Sequence, residues 1–386
     1  MILELHLLQS FPVSNLNRDD LGQPKSATFG GVPRARISSQ SLKRAARCSF
    51  TKHGLPVEHV GARTKRLVTE TAKLLAQRGR DSEQAPEVAA AALKQLGFGI
   101  EKNQLTQYLL FVGHDASTLL ADFCEENWAP IDEAVAKAKK EEAKKKKSSE
   151  DAIKIPKVKP TKDIAAAAKR IFDASRAADI ALFGRMIADN SDFNVAAASQ
   201  VAHAISTHAV GIEFDYYTAV DDLKLDSEPG ADMIGTIDFN TACYYRYANL
   251  DLDQLATNLA GDEELVGHAA RAWLDAFIHS TPGGKQSTMA ARTMPETLLG
   301  TVRTNGAWNL ANAFLRPVTG SDLLGTSTER LFGHFQTLRG FYGTAQLRAV
   351  AGAALSCPTD PLPEEDTVTG IDAFTSRLLT TALEPA

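Results

Sequence analysis

Apolar and polar positions change texture along the chain, and the changes predict its elements. Residues 2–8 are nearly all apolar and read as a buried strand, ended by Ser10-Phe11-Pro12. A polar loop of unusual length follows, SNLNRDDLGQPKSATFGG, and long ordered loops are more often functional. Helical spacing predicts helices over 60–78, 86–96, 116–128, 131–147 and 162–178, rich in Ala, Lys and Glu. DIALFGRM (179–186) reads as a short apolar strand. Residues 194–210 fit helix by their alanines and strand by their Val, Ile and Thr, with the balance towards strand. A β-hairpin turning at DSEPGAD leads into a strand over 236–247. Helices over 252–260 and 262–279, a Pro-Gly-Gly turn and a strand near 286–292 complete the predicted elements.

The most informative stretch is TFGGVPRARISSQSLKRAAR (28–47). Ser38 and Ser39 are N-cap candidates for a helix that ends near Gly54. Leu42, Ala45 and Ala46 fall on one side of that helix. Gln40, Lys43, Arg44 and Arg47 gather on the other, within an arc of roughly 100°. Two glycines and two arginines (Arg34, Arg36) leading to a helix N-terminus suit a chain of phosphates. A merely solvated cationic face has the same pattern, so both readings stand at this point.

Composition narrows the class. With 386 residues, 44% hydrophobic and 23% charged, the chain can bury a large core, as two domains or as one with insertions. The net charge of −5 argues against a general polyanion binder, yet Glu58 and Glu70 are the only acids between Arg34 and Arg80. A local basic surface on an acidic body fits a protein that holds one strand in one place. The four cysteines form no CxxC pair, and no apolar run approaches the ~20 residues that span a bilayer. A soluble, cytoplasmic protein without membrane contact is expected.

Other motifs are weaker. PGGKQ lacks the earlier glycine and the Ser/Thr of a phosphate loop, so Lys285 is either a backbone-phosphate contact or part of an ordinary turn. Asp19-Asp20 and Asp221-Asp222 are carboxylate pairs, but neighbouring Asp side chains diverge and loop aspartates commonly cap turns. His203 and His208 lack zinc-helix spacing. No catalytic residue, metal or cofactor is expected. The run KKEEAKKKKSSEDAIKIPKVKPTK predicts a solvated face with a mobile linker, or a transient contact to a nucleic-acid backbone. Tyr216, Tyr217 and Met186 are packing residues or exposed surfaces for a splayed base.

Seven stretches in order, LNRDD (16–20), FGGVPRARISSQSLKRAAR (29–47), DIALFGRM (179–186), VAHAISTH (201–208), YTAVDDL (217–223), GTIDF…YYRYANLDL (235–252) and PGGKQ (282–286), together resemble one family. It is the CasC-type backbone subunit of the type I-E CRISPR Cascade complex, of the RAMP superfamily. Residues 55–178 and those after about 300 match less clearly.

The resemblance implies an α+β fold shaped like a right hand. An RRM-like (ferredoxin-like) palm would comprise 1–57, 179–208 and 236–386, with helical fingers at 58–178 and a hairpin thumb at 209–235. Copies would polymerise head to tail along a guide RNA (crRNA), which pairs with target DNA, alongside other Cascade subunits. The guide's phosphates would meet Arg18, Lys25, Gln40, Lys43, Arg44 and Arg47; Arg36, Ser39, Arg185 and Lys285 are assigned to the same surface. Met186 and Tyr217, with Tyr216 as a substitute, correspond to the positions that separate bases. Charge alone assigns Lys137, Lys140, Lys144, Lys145, Lys146 and Lys147 to the DNA backbone. Because related backbone subunits cut RNA, the alternative is a metal-dependent ribonuclease using Asp19 or Asp20.

Overall fold

The apolar run at the start of the chain becomes the middle of a sheet. β1 (Ile2–Ser14) lies between Met233–Asp251 and Thr297–Arg303, antiparallel to both. Ser10-Phe11-Pro12 does not end it. Phe11 still pairs with Ala242 and Ser14 with Asn240, and the register slips between them, where Pro12 need not supply an N–H.

The computed structural model describes residues 1–145, 162–187, 190–219 and 233–384, with backbone alone for 141–145. These form two units. One comprises Met1–Gly54, Ser199–Asp253 and Gly267–Ala386; the other Leu55–Ala198 and Gln254–Val266. Lys146, Lys147, the rest of the predicted linker to 161, the Asp221-Asp222 pair and the hairpin turn lie outside the described residues.

The first unit is mixed α/β. Among the described residues, nine strands make one antiparallel sheet. Its order in space is Leu347–Ala354, Thr297–Arg303, β1, Met233–Asp251, Ala204–Ser206, Val32–Ile37 and Ser26–Phe29. Ser199–Val201 and Glu213–Ala219 also pair with the long strand Met233–Asp251. β1 is buried on both faces, which is why its sequence reads as an apolar run rather than an alternation. Leu8 packs in a core with Tyr245, Phe314, Phe332 and Phe335. Glu4, buried on that same side of β1, accepts hydrogen bonds from Thr301 Oγ1 at 2.8 Å, Tyr247 OH at 3.0 Å and the Trp308 N–H. Desolvation still holds its carboxyl above the usual range.

In the second unit, helices Leu67–Gln77, Ala85–Gln95, Ala116–Glu126, Trp128–Lys145 and Lys162–Ile171 surround a core that includes Leu75, Leu93, Leu120 and Phe172. The helix predicted to start at 60 begins later, because Ala62–Thr64 pairs with Leu110–Val112 as a small sheet. Ala178–Phe183 is a helix, not the predicted strand. All six residues are buried, and a short apolar run has no periodicity to separate the two states. In the first unit, the strand expected near 286–292 is a single helical turn, Gln286–Met289, with left-handed residues at both ends (Lys285 φ +51°, Ala290 φ +49°). Among the described residues no helix is long and apolar enough to cross a membrane.

Candidate functional site

Local sequence sets the geometry of the basic helix. Ser38 caps α1 (Ser39–Arg47): its Oγ accepts from the Ser41 N–H at 3.3 Å, and its own N–H donates to Asn17 Oδ1 at 2.8 Å. Leu42 and Ala46 are buried, Gln40 and Arg44 are exposed, and Ser39, Lys43 and Arg47 are half-buried. Arg44 and Arg47 sit in the last turn, where the helix dipole favours cations.

After α1 the chain turns through Phe50–His53, and this corner lines an open cleft of about 690 Å³. Arg44, Lys52 and His53 contribute from one wall, and His279, the Gly283-Gly284 turn and Arg292 from the other. Three fixed cations and two imidazoles thus share one concavity, a potential well for an anion. The turn is built tightly. A Cβ on Gly284 would lie 2.3 Å from the Leu16 carbonyl oxygen. Buried Gln286 donates from Nε2 to Pro282 O and Ala291 O, both at 3.1 Å. Gln286 therefore holds the turn closed, and half-buried Lys285 stands beside it.

The long loop adds to the same unit. Arg18 is exposed, and with Asp19, Asp20 and Gly284 it lines a second open cleft of about 500 Å³. Asp19 Oδ1 accepts from the Leu21 N–H at 3.0 Å and the Gln23 N–H at 2.9 Å, so this carboxylate caps its own loop. Lys25 is half-buried. Arg36 donates to Ser26 O at 3.1 Å, and its Nη1 lies 3.0 Å from His203 Nδ1. Burial, then Arg36 and Lys25, pushes the His203 imidazole below its ordinary value. Among the described residues no three His, Cys, Asp or Glu side chains converge as a metal site.

Two arginines leave the expected surface. Arg34 is fully buried and donates to Phe29 O, Ser206 O and Phe314 O at 3.2, 3.0 and 2.7 Å. Arg185, assigned above to RNA, is also buried. It donates to Phe193 O, Phe111 O and Phe172 O, while desolvation brings its guanidinium down to about 10. Both are buried against backbone carbonyls, so neither is presented to a phosphate. Neighbouring Met186 is 86% exposed. It is held between the Arg185–Val195 backbone pair and the Ile187 N–H, which donates to Asn194 Oδ1 at 2.7 Å. Tyr216 is 60% exposed; Tyr217 lies across Gly235, its ring atoms 2.6 Å from where a Cβ there would stand.

Lys137 and Lys140 are exposed on the helix Trp128–Lys145, which also carries the backbone of Lys144 and Lys145. The cleft residues missed in the sequence are Lys52, His53, His279 and Arg292. His53 and His279 meet only through the fold, and Arg292 lay in the stretch read as a strand.

A family model described as CT1975-like protein matches residues 3–374. The chain belongs to that family. It is similar to a chain from a solved structure described as a CRISPR RNA-guided surveillance complex, pre-nicking. The identity is 29%, the match covers 99% of this chain and 100% of that one, and the TM-score is 0.80. Another, from a CRISPR RNA-guided surveillance complex, shares 27% identity over 98% and 99% of the two chains, with a TM-score of 0.71. No curated protein sequence matches this CT1975-like chain.

Proposed function

We propose that this chain is a guide-RNA-binding backbone subunit of a CRISPR surveillance complex of the Cascade type, with type I-E as the nearest kind. One observation carries the proposal: likeness over essentially the whole of both chains to a component of an RNA-guided complex. The cationic cleft beside α1 supplies a place for the guide's phosphates. Arg18, Lys25, Arg36, Ser39, Gln40, Lys43, Arg44, Arg47 and Lys285 extend that surface within the same unit. The chain grips backbone and leaves sequence reading to base pairing with target DNA.

In this proposal the antiparallel sheet belongs to an RRM-like palm, the helical unit to the fingers, and the hairpin to a thumb. Phe214 and Ile234 are 74% and 61% exposed on the two hairpin strands. Exposed apolar residues gathered on a bare ribbon suit a neighbouring copy in a head-to-tail filament. Met186, Tyr216 and Tyr217 act as base-separating surfaces, and exposed Lys137 and Lys140 reach towards the DNA backbone. The chain binds RNA rather than cutting it; Asp19, whose Oδ1 already caps its loop, supports that choice.

The test is to mix purified protein with end-labelled, guide-length single-stranded RNA, with and without Mg²⁺, on native and denaturing gels. Stepwise shifted bands with intact RNA are expected. Mg²⁺-dependent fragments lost in Asp19→Ala would make the protein a nuclease, and no shift at low salt would remove the RNA. Arg44→Ala should make the salt dependence of log affinity shallower by about 0.7.

A further inference from the structure

Two imidazoles meet in the cationic cleft. The rings of His53 and His279 are stacked with centroids 5.5 Å apart. His279 ends the helix Glu263–His279, and its Nδ1 lies 2.8 Å from Asp275 O. A carbonyl only accepts, so Nδ1 carries the proton and Nε2 is left as the ring's acceptor. Arg44, Lys52 and Arg292 line the same cleft, with Cys48 as a further thiol, and Asp275 is the acid that acts on His53. Burial, then His279, holds His53 below its ordinary value; Lys52 adds to this and Asp275 opposes it. Without an anion beside it, a proton on His53 is therefore disfavoured.

A phosphodiester changes that balance. Its single negative charge offsets one of the three fixed cations and gives an imidazole lining the same cleft a counter-ion for a bound proton. We infer that this cleft takes one phosphodiester of the guide and that the His53–His279 pair binds a proton from solvent as the phosphate enters. Guide binding is then tighter in mild acid than in mild alkali. The inference rests on the RNA-binding proposal and adds a proton to it.

Calorimetric titration of the full chain with guide-length RNA at pH 6.5, in two buffers of different ionisation enthalpy, reads proton uptake directly. Uptake of up to about one proton per bound chain is expected, together with an affinity that falls about three- to tenfold between pH 6 and 7.5. The variant His53→Gln/His279→Gln should bind with no uptake and a flat pH profile, whereas His203→Gln, which alters the imidazole beside Arg36, should retain both. Wild-type binding without proton uptake overturns the inference alone. So does uptake that survives in the double variant or vanishes in His203→Gln. Absence of RNA binding at any pH overturns the RNA proposal itself.

Discussion

The long strand Met233–Asp251 does two different jobs along one backbone. Among the described residues its outer part, Met233–Phe239, pairs only with Glu213–Ala219, and its residues are exposed or half-buried. Its inner part pairs with β1 and, except for Thr241 and Asp251, is buried. Aromatic residues occur in both parts of the ribbon and mean opposite things. Tyr244, Tyr245 and Tyr247 lie in the core, while Tyr216 and Phe214 face solvent. Strand propensity is the same in both places. What differs is whether the described residues supply something to pack against, and where they do not, a partner is the natural supplier.

The largest separation of the two parts is in stability. Tyr245→Ala empties a fully enclosed site and should cost about 3–5 kcal/mol in chemical denaturation. An effect near zero would mean that the inner part is as replaceable as the outer one. Acid probes the same core next. His6, paired with Tyr247 on the neighbouring strand, has Nδ1 2.9 Å from Tyr245 OH, and burial lowers its imidazole to about 3. A depressed folded value means stability is full above the unfolded value near 6.5 and is lost as pH falls below it. From pH 7 to 5 the loss from His6 is about 2 kcal/mol. Glu4, raised by burial, acts in the opposite direction, gaining as pH falls through its folded value. Comparing the denaturation midpoints of wild type and His6→Gln at both pH values isolates the His6 share. Parallel losses in the two would place the acid sensitivity elsewhere.

On the outer part, Gly235→Ala sharpens the contrast. Its Cβ would displace only the far end of the Tyr217 ring, so stability should stay within about 0.5 kcal/mol. RNA affinity should nevertheless fall about tenfold, since a stacked base contributes ~1–3 kcal/mol. Unchanged affinity would show that the pose of Tyr217 is not used by RNA.

The sequence was readable where local chemistry decides the outcome. Ser38 was legible as a cap, and so was the split of α1 into Leu42 and Ala46 against Gln40 and Arg44, because both depend on residues within one or two turns. Arg34 and Arg185 were not legible. Nothing next to them in sequence reveals that carbonyls at Phe314 and Phe111 will accept from them. The same distance hid the cleft. Lys52 and Arg292 become neighbours only once β1 and its partners bring 279–292 up to the end of α1. Apolar runs failed differently: at 178–183 complete burial erased the periodicity that distinguishes a helix from a strand.

The smallest expected change in stability belongs to the ribbon, and it separates the two parts most cleanly. Phe214 and Tyr216 alternate on one face of their strand, opposite Asp238 and Thr236. Ile234, opposite Thr218, extends the same face. Because Phe214 and Ile234 are mostly in water already, Phe214→Ala/Ile234→Ala removes little buried area and should shift stability by about 0.5 kcal/mol or less. If the face docks a second copy, the loss appears elsewhere. One chain should still shift a short RNA that has room for a single copy, while the stepwise ladder on guide-length RNA should weaken and lose its cooperativity. A ladder equal to wild type would leave that exposed apolar face without a second copy as its partner. A large loss of stability would mean that the outer part is packed after all, and the contrast within the strand would disappear.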